Sequence, residues 1–208
     1  MKRLTLTILA AAFCLTIPLN AQTYRNISGW SDQINNRIED FLNSTITMNT
    51  RKVAVFDSDG TTFGQVPHYL ADEALYRYAD MVLKERKDKE AKDKLKILDR
   101  MVKDGNNVGK PYVENRVHFL AGLSPEEIEM IGYQCYEESY RNKTYPEMKQ
   151  LVANLKEYGF EVYILTASPE FLYQKFVSEE YGIPVTSVLG AKCVVKEGVT
   201  TGEIIPPI

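Results

Sequence analysis

The stretch "VAVFDSDGTTFG", residues 53–64, decides the fold prediction. Its four apolar residues run directly into Asp57 and Asp59, which are followed by Gly60. A short apolar run bounded by turn residues indicates a buried strand. In an open parallel sheet, ligands bind at the carboxyl ends of the strands. We therefore expect Asp57 and Asp59 to lie at a ligand-binding edge of such a sheet.

A second group of strands and helices follows in the last third of the chain. The pattern predicts a helix from Pro146 to Gly159, a strand "EVYILT", a helix ending at Gly182, a strand "VTSVL" and a hairpin turning near Glu197-Gly198. Strand, helix and strand in that order favour a parallel arrangement. The predicted fold class is α/β, a doubly wound Rossmann-like parallel sheet in which Thr166 ends the second strand.

The residues between the two strand regions have a helical pattern. Apolar side chains recur at helical spacing from about residue 71 to 142, and Ser124-Pro125 is typical of a helix start. This pattern predicts a helical cap inserted into the sheet domain. The predicted boundaries are a leader over 1–21, a core over 22–62 and 143–208, and a cap over 63–142.

The first residues resemble a secretory leader. Lys2 and Arg3 precede an apolar run, and small residues ending at Ala21 fit a cleavage site. A membrane anchor needs about 20 consecutive apolar residues, whereas Thr5, Thr7, Thr16 and Pro18 interrupt this run. We expect cleavage after Ala21, a secreted or periplasmic protein, and no membrane contact after cleavage.

Composition restricts the partner. The formal net charge of −3 and the pI near 5.6 give no basic surface for nucleic acid. The chain after Ala21 contains only Cys135 and Cys193, so the sequence does not predict a disulfide framework. These features favour a small-molecule partner.

Several chemistries are compatible with Asp57-Ser58-Asp59-Gly60. Asp-Gly is a common hairpin turn, but no alternating strand follows it. A calcium-binding loop needs glycine at its sixth position and glutamate at its twelfth, where this chain has Thr62 and His68. That loop is excluded.

The remaining interpretation gives the two carboxylates different tasks. Asp57 attacks a phosphorus atom and forms an aspartyl phosphate. Asp59 donates a proton to the leaving alcohol and later accepts one from water. A magnesium ion held by Asp57 and Asp59 neutralises the phosphate. Backbone amides near Ser58 and Ala167 and the Thr166 hydroxyl donate to its oxygens.

The motifs "VFDSDGT" and "VYILTAS" resemble those of phosphatases in the haloacid dehalogenase superfamily. The helical cap predicted between the two motifs is similar to that of the phosphoserine-phosphatase-like branch of this superfamily. The resemblance implies magnesium-dependent hydrolysis of a small phosphorylated metabolite through an aspartyl phosphate. Within that superfamily, an aspartate at position 59 favours phosphoryl transfer over dehalogenation.

Two cap segments bear on the substrate. "VENRVHFLAGLSPEEI" resembles a phosphoserine-phosphatase segment, which implies that Arg116 pairs with a substrate carboxylate; the alternative is an ordinary surface arginine. "FDSDGTTFGQVPHY" is similar to secreted relatives, some of which act on phosphocholine-like esters, and His68 is expected at the cap entrance. The substrate stays open between these resemblances.

The resemblance also implies a third-motif lysine and an acidic fourth motif, which the sequence does not show after "VTTGEIIPPI". We therefore expect the chain to be the front portion of a longer protein, with a sheet incomplete at the C-terminus and an uncovered edge at the "VAVF" strand. The alternative function is a catalytically inactive phosphate-binding or scaffold remnant.

Overall fold

The computed structural model describes residues 22–206, so the expected leader over 1–21 lies outside the described residues. The helices are α1 Asp32–Ser44, α2 Leu70–Tyr78, α3 Lys89–Asp104, α4 Lys110–Leu120, α5 Pro125–Cys135, α6 Pro146–Glu157 and α7 Phe171–Tyr181. The strands are β1 Val53–Asp57, β2 Glu161–Pro169, β3 Val188–Lys196 and β4 Val199–Ile205. Within residues 22–206, no helix has the length and apolar character needed to cross a membrane.

The four strands form one sheet in the order β1-β2-β3-β4. Strands β1, β2 and β3 are parallel, whereas β3 and β4 form an antiparallel hairpin. At the hairpin turn, Glu197 and Gly198 have positive φ values of 51° and 82°, which suit the right-handed twist of the flanking strands. The prediction of an α/β fold with a mainly parallel sheet is confirmed.

The core lies on one face of this sheet. Ile164 of β2 and Val188 of β3 are fully buried in a cluster that includes Val152 of α6 and Val177 of α7. Alternate residues of β2 point to the opposite face, because successive side chains of a strand alternate. The buried face fixes the strand register, since a slip by one residue would exchange the two faces.

Strand β1 lies at an edge of the described sheet. Its residues Val53 and Val55 are exposed to 43% and 55%, and Leu165 beside them on β2 is exposed to 40%. In the part of the chain that the structure describes, β1 has a strand neighbour on one side only, as expected for the "VAVF" strand, and these exposed side chains show that one face of the sheet is open there.

The helical region between β1 and β2 contains the helix start that the sequence predicts at Ser124-Pro125. Ser124 caps α5 through a reciprocal bond with Glu127, which satisfies two amides at the helix start. Gly105 ends α3 with a φ of 66°, a conformation that favours glycine. The predicted domain boundaries stay predictions.

Two details of the sheet differ from the prediction. Strand β2 continues beyond Thr166 to Pro169, and β3 begins at Val188, because Val185–Ser187 form a 3₁₀ turn. Pro184 has a φ of −58° and accepts a hydrogen bond from the Ser187 amide. This local turn replaces the first part of the expected strand.

The β3–β4 hairpin contacts the loop between α4 and α5. The Gly122 amide donates to the Thr200 carbonyl at 2.7 Å, and the Thr200 amide donates to the Leu123 carbonyl at 2.9 Å. These bonds fix the end of α4, the helix that carries Arg116, relative to the sheet.

Candidate active site

A cavity of about 200 Å³ lies at the carboxyl ends of β1 and β2. The strand ends and the loops after them contribute Asp57, Asp59, Thr166, Ala167 and Ser168. The helical segment after β1 contributes Gln65, Tyr69, Asn107, Val108 and Arg116. The structure thus brings together five of the residues predicted for the site, namely Asp57, Asp59, Thr166, Ala167 and Arg116.

Asp57 and Asp59 have different surroundings although one residue separates them. Asp57, the last residue of β1, is exposed. Asp59 Oδ1 accepts a hydrogen bond from the Leu70 amide at 3.0 Å, and its Oδ2 accepts one from the Tyr173 hydroxyl at 2.8 Å. Asp57 therefore has the freer carboxylate, whereas both oxygens of Asp59 have a protein donor.

Burial raises the pKa of Asp59 to about 6, and the neighbouring carboxylate of Asp57 adds to this rise. The hydrogen bonds from Leu70 and Tyr173 act in the opposite direction, because they stabilise the charged form. A carboxyl group with a pKa near 6 can both donate and accept a proton close to neutral pH.

A tight loop holds the two carboxylates. Gly60 has a φ of 80°, and its amide donates to the Phe63 carbonyl at 2.7 Å. The Thr62 amide and hydroxyl both donate to the Ser58 carbonyl, at 2.9 Å and 2.8 Å. Glycine suits position 60, because other residues rarely adopt a positive φ.

Ser58, predicted to contact phosphate, is fully buried and is not among the cavity-lining residues. Its hydroxyl oxygen has no hydrogen-bond partner among residues 22–206. The side chain therefore points away from the cavity, and the predicted contact depends on the Ser58 backbone amide.

The end of β2 forms the second wall. The Ser168 amide donates to Thr166 Oγ1 at 3.1 Å, which fixes the side chain predicted to bind phosphate. Ser168 Oγ lies 3.4 Å from the Tyr173 hydroxyl. A Cβ atom on Gly190 would lie 2.4 Å from the Ser168 carbonyl oxygen, so β3 supports this wall by close backbone contact.

Arg116 lies in the third wall, paired with Asp72 of α2. Its Nε and Nη2 donate to the two Asp72 oxygens, each at 2.8 Å, and the two side chains are only 2% and 3% exposed. The guanidinium also lies 4.9 Å from the centre of the Tyr112 ring. The alternative of an ordinary surface arginine is therefore wrong.

His68 is not among the cavity-lining residues. Its exposed ring packs edge to face against Tyr76, with 5.4 Å between the ring centres, and its carbonyl accepts a bond from the Tyr140 hydroxyl at 2.7 Å. The structure does not bring this predicted substrate residue to the cavity wall.

Sequence reasoning missed Tyr173, Ser168 and Asp72. Tyr173 is 114 residues from Asp59, and Asp72 is 44 residues from Arg116. No short motif connects residues at such separations. Ser168 had a weak signal, since it follows Thr166 and Ala167 at a strand end that already carried a predicted role.

The carboxylate oxygens that line the cavity are ligands of the kind that a hard cation prefers. Asp57 and Asp59 offer oxygen atoms, which magnesium prefers, and magnesium commonly uses one or two carboxylates together with waters and substrate phosphate. Among residues 22–206 there is no group of three or more acidic, histidine or cysteine side chains placed to hold a metal. Because both carboxylate oxygens of Asp59 accept protein hydrogen bonds, the Asp57 carboxylate is the freer donor.

Comparison with known proteins identifies a family. A family model described as haloacid dehalogenase-like hydrolase matches residues 54–208. No curated protein matches the chain at a significant level.

Solved structures are similar to this chain at low identity. A protein of unknown function from Bordetella pertussis Tohama I is 18% identical with a TM-score of 0.55, over 76% of this chain and 67% of that one. A functionally unknown protein from Anaerococcus prevotii is 15% identical with a TM-score of 0.57, over 85% and 72%. A phosphoserine phosphatase, as a phospho-aspartyl intermediate analogue, is 19% identical with a TM-score of 0.42, over 75% and 63%. The chain thus spans about two thirds of the length of these structures.

Proposed function

We propose that this chain, which belongs to the haloacid dehalogenase-like hydrolase family, hydrolyses small phosphate monoesters with magnesium through an aspartyl phosphate. The observation that carries the proposal is the contrast between two carboxylates in one cavity. Asp57 is exposed and suited to attack, whereas the half-buried Asp59 has its pKa raised to about 6, mainly by desolvation. Acid–base catalysis by a carboxyl group needs a pKa near the working pH.

The reaction has two displacements at phosphorus. A carboxylate oxygen of Asp57 forms a bond to phosphorus while the bond to the alcohol oxygen breaks, and Asp59 gives its proton to that oxygen. Water then attacks the same phosphorus, Asp59 accepts a proton from it, and the bond between phosphorus and Asp57 breaks. Inorganic phosphate leaves, and both carboxyl groups return to their initial states.

The cavity walls hold the phosphoryl group during both steps. The Thr166 hydroxyl and the amides of Ser58 and Ala167 donate to its oxygens, which stabilises charge more strongly in a cavity than in bulk water. Asp57 and Asp59 would hold magnesium, with Asp57 offering the freer carboxylate, and the ion would supply positive charge that stabilises the phosphate. The Tyr173 hydroxyl keeps the Asp59 carboxyl group in place at 2.8 Å.

The sequence of the first 21 residues supports a secreted or periplasmic location after cleavage at Ala21. In that location the enzyme would meet small phosphorylated metabolites outside the cytoplasm. We propose no role in nucleic-acid binding, since the chain is acidic overall, with a net charge of −3.

One observation favours a second candidate, a phosphate-binding protein without turnover. The only lysine or arginine among the described cavity-lining residues is Arg116, and Asp72 already neutralises it. Phosphoryl transfer depends on positive charge close to the transferring group. Under this candidate the cavity binds phosphate, and the chain releases none from its esters.

The two candidates differ in turnover, so the test measures phosphate release from p-nitrophenyl phosphate with magnesium. Under the proposed function the wild-type chain is active, Asp57→Asn abolishes activity because the attacking oxygen is lost, and Asp59→Asn lowers it by about 10²- to 10⁴-fold. Asp40→Asn, on the exposed surface of α1, is the matched control and keeps full activity.

Intact-mass measurement gives an independent readout. A quenched reaction of the wild-type chain should contain protein that is heavier by one phosphoryl group, and Asp57→Asn should not. Activity that survives Asp57→Asn contradicts the assigned nucleophile. Phosphate binding by a wild-type chain that releases no phosphate supports the binding protein instead.

A further inference from the structure

The cavity presents no uncompensated positive side chain among the residues that the structure describes. Arg116 is the only cationic residue among the described residues of its walls, and both Asp72 oxygens accept bonds from its Nε and Nη2 at 2.8 Å. The remaining nitrogen, Nη1, lies 3.5 Å from Ser168 Oγ. Asp72 therefore occupies the Nε–Nη2 edge of the guanidinium, one of its two edges that can form a bidentate contact, and neutralises its charge.

The rest of the wall opposite the strand ends is uncharged. It consists of Gln65, Tyr69, Asn107 and Val108. A ligand whose phosphate lies at Asp57 and Thr166 would place its alcohol portion against these side chains. Gln65 and Val108 are exposed and Tyr69 and Asn107 are half-buried, so an anionic group on that portion would lose part of its hydration without gaining a free cation, which costs free energy.

We propose that Asp72 determines specificity, and that the cavity selects phosphate monoesters whose alcohol portion carries no carboxylate or other anionic group. Asp72 does so by neutralising Arg116, which in this chain positions Tyr112 and Ser168 instead of binding substrate. This inference rests on the proposed function and opposes the role of Arg116 that the phosphoserine-phosphatase resemblance implies.

The test compares O-phosphoethanolamine with O-phosphoserine, which differ only by one carboxylate. Binding is measured by calorimetry on full-length Asp57→Asn protein, so that turnover does not interfere. We expect O-phosphoethanolamine to bind about tenfold more tightly than O-phosphoserine. The carboxylate of O-phosphoserine would stay unpaired in the cavity, and the binding free energy lost is on the order of one charge-assisted hydrogen bond. Equal or tighter binding of O-phosphoserine overturns the proposal, and so does the absence of binding of both esters.

Two variants on the Asp57→Asn background test the assigned cause. Asp72→Asn frees the guanidinium, so the preference should fall or reverse through a gain in O-phosphoserine binding. The double variant Asp72→Leu with Arg116→Met removes both charges and should keep the preference, since an apolar pair often replaces a buried ion pair without loss of stability. A preference that Asp72→Asn leaves unchanged, or that the double variant abolishes, overturns the role of Asp72.

The variants need a fold check, because Asp72→Asn leaves a buried arginine without its partner. Cooperative unfolding followed by circular dichroism shows whether a variant is folded. If Asp72→Asn is not folded, the double variant and the comparison of the two esters in the Asp57→Asn protein still test the proposal. Failure of the proposed function appears separately, as a wild-type chain that binds O-phosphoethanolamine and releases no phosphate from it. The binding preference is independent of that outcome.

Discussion

Gly132→Ala tests a close backbone contact between helices α5 and α7. A Cβ atom at Gly132 of α5 would lie 1.9 Å from the Leu172 carbonyl oxygen of α7, and 2.6 Å and 2.8 Å from the Leu172 carbonyl carbon and Cα. All three atoms belong to the backbone, so no side-chain rotation relieves the clash. The helices must separate by about 1.5 Å to reach the ordinary contact distance of 3.4 Å.

The expected loss is the difference between two terms. Overpacking of a well-packed core costs about 1–3 kcal/mol, and a separation of this size belongs at the upper end. Alanine is better than glycine inside a helix by about 1 kcal/mol. The net loss of unfolding free energy is therefore about 2 kcal/mol, which corresponds to a fall in Tm of about 4–8 °C for a chain of this length.

Urea unfolding followed by circular dichroism measures this change. Gly64→Ala is the matched control, since its Cβ atom would meet Lys143 Cβ at an ordinary 3.5 Å and a loop glycine replaced without strain is neutral or slightly stabilising. If Gly132→Ala unfolds at the wild-type urea midpoint with an unchanged m-value, helices α5 and α7 do not approach as closely as the structure has them, and the reasoning is refuted.

Two further predictions concern buried contacts. Lys94→Met should lower the unfolding free energy by about 2 kcal/mol, because the Lys94 ammonium, only 4% exposed, donates to the Phe119 and Ala121 carbonyls at 2.6 Å and 2.5 Å. The control is Lys96→Met on the exposed face of α3. Equal urea midpoints for the two variants would contradict the prediction. Gly190→Ala should push the Ser168 backbone into the cavity, since its Cβ atom would lie 2.4 Å from the Ser168 carbonyl oxygen. Calorimetry with inorganic phosphate should show weaker binding for Gly190→Ala than for Gly132→Ala, and equal affinities would show that this wall tolerates the extra methyl group.

The features predicted from sequence are those that depend on neighbouring residues. An apolar run that ends in acidic residues indicated β1 and placed Asp57 and Asp59 at the sheet edge. Ser124 and Pro125 indicated the start of α5, and Glu197-Gly198 indicated the hairpin, because capping and turn conformations depend on a few consecutive residues. The parallel order of β2 and β3 followed from the helix between them.

The features that sequence did not predict depend on contacts between distant segments. In the sequence, Tyr173 fits the apolar pattern of α7, which gives no sign of a role in the site. Only the packing of α7 against the loop after β1 brings its hydroxyl to Asp59. The ion pair of Asp72 with Arg116 requires α2 and α4 to lie side by side. The sequence could not show this, so it left Arg116 between the substrate role implied by the resemblance and a surface role. For His68 the sequence predicted a contact that the structure does not show. The residue was expected at the cap entrance because it lies near the first motif, yet it is not among the residues that line the cavity.

The different roles of Asp57 and Asp59 arise from the loop rather than from residue type. Gly60, with its positive φ of 80°, turns the chain so that the second carboxylate lies at the start of α2. The Leu70 amide there favours the charged form of Asp59, yet burial outweighs it and raises the pKa to about 6. Asp57 remains exposed at the strand end. The surroundings of Asp59 are therefore as much a part of the acid–base chemistry as the carboxyl group itself, since burial raises its pKa and the hydrogen bond from Tyr173 lowers it.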